Sequence, residues 1–279
     1  MMSTDFPPLP APHTASGKLP LLPVLVGFSI DVLIATGLLL TLSVAGFALW
    51  GGVRGFSHVQ AAKAQGLTLS SPEIMAAIGQ PGVAVQLLSA LVSTATPAVL
   101  LYYWRRRATP VEHAASRAAI RRASTWGCTG LIAAAVFLLS NLVGATASAL
   151  GIKPAPTNLP LMEEAIKQWP VALVLFAVVI APAYEELLFR RVLFGRLLSA
   201  GRPWLGIALS SAIFALVHEV PGISGNGPAA IAQLWLVYGS MGAAFAWLYW
   251  RTGTLWAPIA AHGINNATAL AALYFFGLG

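Results

Sequence analysis

Charge is what this sequence has least of. Sixteen Lys and Arg and nine Asp and Glu stand among 279 residues, 9% of the chain, where soluble domains carry about a quarter. That scarcity excludes an ordinary water-solvated globule. The net charge of +7 does not point to nucleic acid either, because the basic residues sit in short connections between apolar runs and line no continuous face. A single cysteine, Cys128, excludes an intrachain disulfide and a multi-cysteine metal site, and reads as a packed helix residue. Also missing are a His-Glu-x-x-His helix, the signature of many zinc proteases, and any internal repeat of the kind that marks many transporters.

What the chain has in excess is apolar sequence, 57% of all positions, gathered in long runs. A bilayer's hydrocarbon core is about 30 Å thick and a helix rises about 1.5 Å per residue, so about 20 mostly apolar residues cross it. Seven stretches qualify: about 22–50, 84–104, 126–150, 169–199, 203–220, 229–250 and 254–276. The expected fold class is all-α, a polytopic transmembrane helix bundle of about seven spans with membrane lipids as its first partners. Residues 1–19 are Pro-rich, polar and aperiodic and read as a disordered leader. The run from Leu21 to Trp50 is longer than the about 7–15 residues of a signal-peptide core, so it reads as a retained span. Segment 51–83 reads as a loop with a short surface helix. Segment 151–168, with Glu163, Glu164 and Lys167, reads as an interfacial turn.

With the N-terminus on the cytoplasmic side, twelve of the sixteen basic residues fall inside. Four, Arg54, Lys63, Lys153 and Lys167, fall outside. This positive-inside bias favours a cytoplasmic N-terminus.

Ionisable groups within spans cost about 2.5–3.5 kcal/mol each on insertion scales, so each is a functional candidate. Asp31 lies near the start of the first span without a local partner and reads as a near-interfacial residue; Glu219 reads as solvated at a span's end. Three other segments converge. Glu186 and Arg190 are four apart with the acid first, the order that pairs along a helix face, while Glu185 is turned from them by about 100° and needs another partner. The Gly201-Arg202-Pro203 turn should join two antiparallel helices, and Glu185 lies 16 residues before Gly201 while His218 lies 17 after it. Equal distance from a hairpin turn means equal depth, so His218 is the first candidate partner for Glu185. Pro221-Gly222 should break the helix beside His218, which favours a polar pocket there. In the last span His262 and Asn266 share a face, following Pro258, which should loosen the preceding turn, and beside Gly263, which permits close helix approach.

Glu185-Glu186-x-x-x-Arg190, then Phe214-x-x-x-His218, then His262-x-x-x-Asn266, resembles the three-motif signature of the CAAX prenyl protease and bacteriocin-processing (CPBP, or Abi) family of intramembrane proteases. The resemblance covers about residues 170–279. It divides the chain into the 1–19 leader, N-terminal transmembrane helices over 20–168 and a catalytic core over 169–279, and implies the inner membrane of a bacterium. It implies a glutamate-dependent endopeptidase in which Glu185 and His218 activate water while His262 and Asn266 bind the oxyanion, with Glu186, Arg190 and Phe214 supporting them. The implied substrate is a peptide or membrane protein, lipidated or not, and nucleic acid is not a partner. No cofactor is expected. Two histidines and a carboxylate are also a legitimate zinc set, so a zinc-dependent protease using the same residues stays open. So does a non-catalytic scaffold or bacteriocin-immunity protein.

Overall fold

The computed structural model describes residues 18–276, so all but the last two residues of the expected leader lie outside the described residues. Within them the regular structure is all helical, with no strand. Ten helices follow one another: α1 (Leu21–Ala64), α2 (Ser71–Ile78), α3 (Val83–Arg105), α4 (Pro110–Ala119), α5 (Ala123–Ala149), α6 (Leu159–Gln168), α7 (Pro170–Ser199), α8 (Pro203–His218), α9 (Pro228–Thr252) and α10 (Trp256–Phe276). Each of the seven expected spans is a helix. Five of them, α1, α3, α5, α7 and α9, are long and apolar enough to cross a membrane. The apolar α8 is shorter, and α10 runs 21 residues, about 31 Å at the helical rise. The protein is an all-α integral membrane bundle.

α1 departs from expectation by continuing through Gly51-Gly52 to Ala64. Glycine inside a helix costs only about 1 kcal/mol against alanine, and no proline interrupts this stretch, so the helix outruns the bilayer instead of ending in a loop. Only 6% of its most apolar window is buried in the protein, which leaves that window's surface for lipid to cover. Gly55 lets α2 dock on its far end, where an added Cβ would sit 3.4 Å from Ile74 and Ile78. The interfacial turn expected over 151–168 contains the helix α6. Its Ala165 packs with Val83, Leu173 and Leu270.

The arginine-rich ends of the helices meet at one end of the bundle. Asp31 is not a lone interfacial residue: it is fully buried and ion-paired with both Arg105 and Arg196, the latter at 2.6 Å, tying α1 to α3 and α7. Gly27 makes room for this, since a Cβ there would lie 2.7 Å from Arg196 Nη1. On the same end Glu112 caps α4, accepting from Thr109 N at 2.8 Å, and grips Arg191 of α7 at 2.6 and 2.8 Å. Ser116 of α4 meets Thr254 at 2.7 Å. α4 is thereby clamped across α7 and the α9–α10 turn.

Hydrogen bonds from Arg191, opposed by partial burial, hold the Glu112 carboxyl down from its ordinary 4.5 to about 2. A depressed carboxylate contributes stability that is full above its ordinary value and is lost as pH falls towards the folded value. The protection this pair gives the α4 amides against hydrogen exchange should therefore be constant from about pH 8 to about 5 and be lost between about pH 4.5 and 2. Glu112→Gln should accelerate exchange above about pH 5 and converge with wild type near pH 2, and unchanged exchange in that variant at neutral pH would contradict the clamp.

The opposite end is stapled by Glu219. Sequence reading left this residue solvated, yet its side chain is fully buried. It accepts hydrogen bonds from Ser224 Oγ, from Asn226 Nδ2 at 3.0 Å and from Thr157 Oγ1 at 2.8 Å. Asn226 also exchanges hydrogen bonds with Ala155, donating at 2.9 Å and accepting at 3.0 Å. The loop after His218 and the loop before α6 are thus one hydrogen-bonded unit.

Candidate active site

α7 carries the first motif and is not a uniform α-helix. Phe176–Ile180 and Leu187–Phe194 are π-helical, with Ala181 N–H reaching back to Phe176 O. Pro182 accounts for a loose end in the first of these turns. In the i→i+5 register its position would donate to Ala177 O, and proline has no N–H to give. Asn266 Nδ2 supplies the missing donor at 2.8 Å. One turn away on α10, a Cβ on Gly263 would lie 2.5 Å from Val178 O. α10 therefore docks on the π turn by a glycine and an asparagine three residues apart. Pro258 loosens nothing: it lies in the first turn of α10, where a missing N–H is harmless. Gly263→Val should cost about 1–3 kcal/mol by forcing the two helices apart. Thermal unfolding in detergent micelles checks this, and an unchanged midpoint would contradict the close contact.

The hairpin turn forms as expected. Gly201 adopts a φ of +72°, and Arg202 N–H returns to Leu197 O at 2.9 Å, closing α7 before Pro203 starts α8. α8 ends at His218, and the chain leaves through Pro221 and Gly222, the latter at a φ of +85°. Glu185 and His218 meet across the hairpin, with Oε2 and Nε2 3.6 Å apart. The same Oε2 lies 3.8 Å from His262 Nε2 and is buried without a hydrogen-bond partner.

Both imidazoles are oriented from behind. His218 Nδ1 lies 2.7 Å from Phe214 O. A carbonyl can only accept, so Nδ1 carries the proton and Nε2 faces Glu185. His262 Nδ1 lies 3.0 Å from Glu186 Oε1, and that carboxylate sets the second ring in the same sense. Glu186 pairs in turn with Arg190, Oε2 to Nε at 2.8 Å, both side chains fully buried. The Arg190 guanidinium carbon sits 5.1 Å from the Phe214 ring centroid, 5.9 Å from Phe245 and 5.8 Å from Phe189. Glu186 therefore neutralises Arg190, as its spacing predicted, and also aims His262, which the spacing did not reveal.

Glu185, Glu186, Arg190, Phe214, His218 and His262 thus form one connected cluster. Asn266 joins it only through α10, since its observed bond is to Ala177 O. The side chains of Glu185 and His218 are about a fifth exposed and that of His262 is 3% exposed, so the open side of the cluster is at the Glu185–His218 pair. Two residues absent from the motifs also belong here. Tyr238 lies 4.8 Å from His218 and Phe245 stacks on His262 at 5.2 Å, ring centroid to ring centroid. They are seven apart on α9 and share a face, a faint signal because an aromatic stripe in a span reads first as core.

Residues 167–268 match the family profile described as type II CAAX prenyl endopeptidase Rce1-like. Over 116 residues the chain is 33% identical to the "Putative membrane peptidase YdiL" of Bacillus subtilis (strain 168), a match covering 42% of this chain and 43% of that protein. The chain thus spans less than half the length of the curated relative it matches. No solved structure matches it. The profile match and the motif resemblance coincide on one stretch, and over that stretch the chain is similar to the CAAX prenyl endopeptidase family.

Proposed function

We propose that the protein is an intramembrane endopeptidase that hydrolyses a peptide bond near the C-terminus of a membrane-associated protein or peptide. The observation that carries this reading is the buried Glu185 Oε2 facing two imidazole Nε2 atoms whose Nδ1 positions are both engaged. The Glu185 carboxylate oxygen and the unprotonated His218 Nε2 are both acceptors, so what they hold between them must donate. A water molecule, with two O–H bonds, meets that requirement.

In this reading Glu185 takes one proton from water as the oxygen attacks the scissile carbonyl carbon, with His218 aligning the water. The tetrahedral oxyanion is met by His262, donating from a protonated Nε2 with Glu186 as counter-charge, and by the second N–H of the Asn266 amide. When the C–N bond breaks, the proton held by Glu185 passes to the leaving nitrogen. Glu186, shared between Arg190 and His262, leaves Glu185 as the base.

We read the chemistry as metal-free. The chain has no His-Glu-x-x-His helix, and Asn, the residue that shares the His262 face, is a poor zinc ligand. The basic end of the bundle faces the cytoplasm, by the positive-inside rule, and the membrane is the bacterial inner membrane. Purified protein in nanodiscs should cleave a farnesylated peptide ending in a Cys-aliphatic-aliphatic-X sequence, or its unprenylated counterpart, and which one it prefers reports whether lipidation matters. Absence of cleavage of every membrane-proximal peptide offered, with a cellular phenotype indifferent to Glu185, would favour a scaffold. Full activity after chelation, with no zinc by elemental analysis, is expected; stoichiometric zinc whose removal and return switch activity off and on would overturn the metal-free mechanism.

A further inference from the structure

His218 is the last residue of α8, so no following helical turn braces its ring. Three contacts do so instead. Nδ1–H donates to Phe214 O at 2.7 Å, the Phe214 ring lies 4.2 Å away by centroids, and the Tyr238 ring lies 4.8 Å away, each tilted by 35°. Two rings that close to one face of an imidazole would touch each other, and among the described residues no ring contact joins Phe214 to Tyr238. They therefore flank it, leaving the Nε2 edge towards Glu185.

The two walls are not equivalent. Phe214 belongs to α8, one turn before His218, and moves with it. Tyr238 belongs to α9, whose distance from α8 is fixed close by: a Cβ on Gly242 would lie 3.0 Å from Ser211 Cα, and one on Gly239 would lie 3.9 Å from Ala215 Cβ. A flat ring held at a fixed distance stops the imidazole from swinging away from Glu185 and from turning its other nitrogen towards it.

We propose that Tyr238 is a positioning residue for His218, holding the ring so that Nε2 faces Glu185 through ring-on-ring contact, with no requirement for the phenol hydroxyl. The catalytic meaning of this clamp rests on the proposed role of His218; the clamp itself does not. Misplacement of a catalytic group by about 1 Å costs about 10²-fold in rate. With a farnesylated Cys-aliphatic-aliphatic-X reporter, Tyr238→Leu should lower kcat at least about tenfold while KM stays within about threefold, and Tyr238→Phe should stay within about twofold of wild type in both.

The clamp has its own readout in nitrogen NMR of histidine-labelled protein in micelles, the His218 signals being identified by their loss in His218→Gln. Wild type and Tyr238→Phe should show one Nδ1-protonated form, and Tyr238→Leu a mixture of tautomers, with the His262 signals unmoved as proof that the variant is folded. Retained kcat in Tyr238→Leu, equal damage in Tyr238→Phe, or a single unchanged His218 tautomer in all three proteins would overturn the proposal. If wild type hydrolyses no reporter, the protease reading fails while the NMR result still decides the clamp.

Discussion

Glu185→Gln should leave the protein folded and reduce hydrolysis of a farnesylated peptide reporter by at least about 10³-fold. The substitution keeps the shape of the side chain and replaces one carboxylate oxygen by nitrogen, so packing across the α7–α8 hairpin is preserved. What it removes is the carboxylate oxygen that faces both His218 and His262, at 3.6 and 3.8 Å. A positioned general base contributes about 10²–10⁴-fold, and loss of the alignment it shares with His218 adds to that. An amide also offers an N–H donor to the bare His218 ring nitrogen, which would take the place of the water. Turnover measured in nanodiscs, beside an unchanged thermal midpoint, is the check, and a variant within tenfold of wild type would remove Glu185 from the mechanism.

Arg190→Met should be the most destabilising of the substitutions considered, by about 3–5 kcal/mol, because it strands Glu186 as a buried charge without its cation. Glu186 and Arg190 are fully buried and 2.8 Å apart, and three aromatic rings close around the guanidinium. Breaking such a pair from one side is far worse than replacing both partners. The double variant Glu186→Gln, Arg190→Met should therefore regain most of the loss. Its catalytic defect should nevertheless persist, because the Glu186 carboxylate that orients His262 at 3.0 Å is gone. Denaturation in mixed micelles for the two single variants and the double variant separates the two roles; equal stability losses in Arg190→Met and in the double variant would show that charge pairing is not what Arg190 contributes.

Much of this was legible in the chain because a bilayer forces simple rules on it. Span lengths follow from thickness. The meeting of Glu185 with His218 follows from equal spacing about Gly201, and Gly263 announces a close approach that Val178 O makes real. The failures have physical reasons of their own. Asp31 looked unpartnered because Arg105 and Arg196 lie 74 and 165 residues further on, beyond any local pattern. Glu219 looked solvated because its donors come from a loop and from Thr157, 62 residues earlier. Pro182 was a visible hint of irregularity in α7, but the second π turn, Leu187–Phe194, contains no breaker to betray it. Tyr238 was hidden by its own ordinariness in an apolar span.

α1 has a mechanical consequence. From its anchor at Asp31 to its end at Ala64 it runs 33 residues without interruption, about 50 Å of unbroken helix. That is well over the thickness of the hydrocarbon it crosses, with one end held by two arginines and the other carrying α2. Such a rod is a lever with its fulcrum at Asp31, and a change of about 5° in tilt displaces its far tip by about 4 Å. Helices adapt to bilayer thickness by tilting. A change in the thickness of the surrounding lipid would therefore be felt most at the α1–α2 tip, the part of the rod farthest from the ion pairs at Asp31.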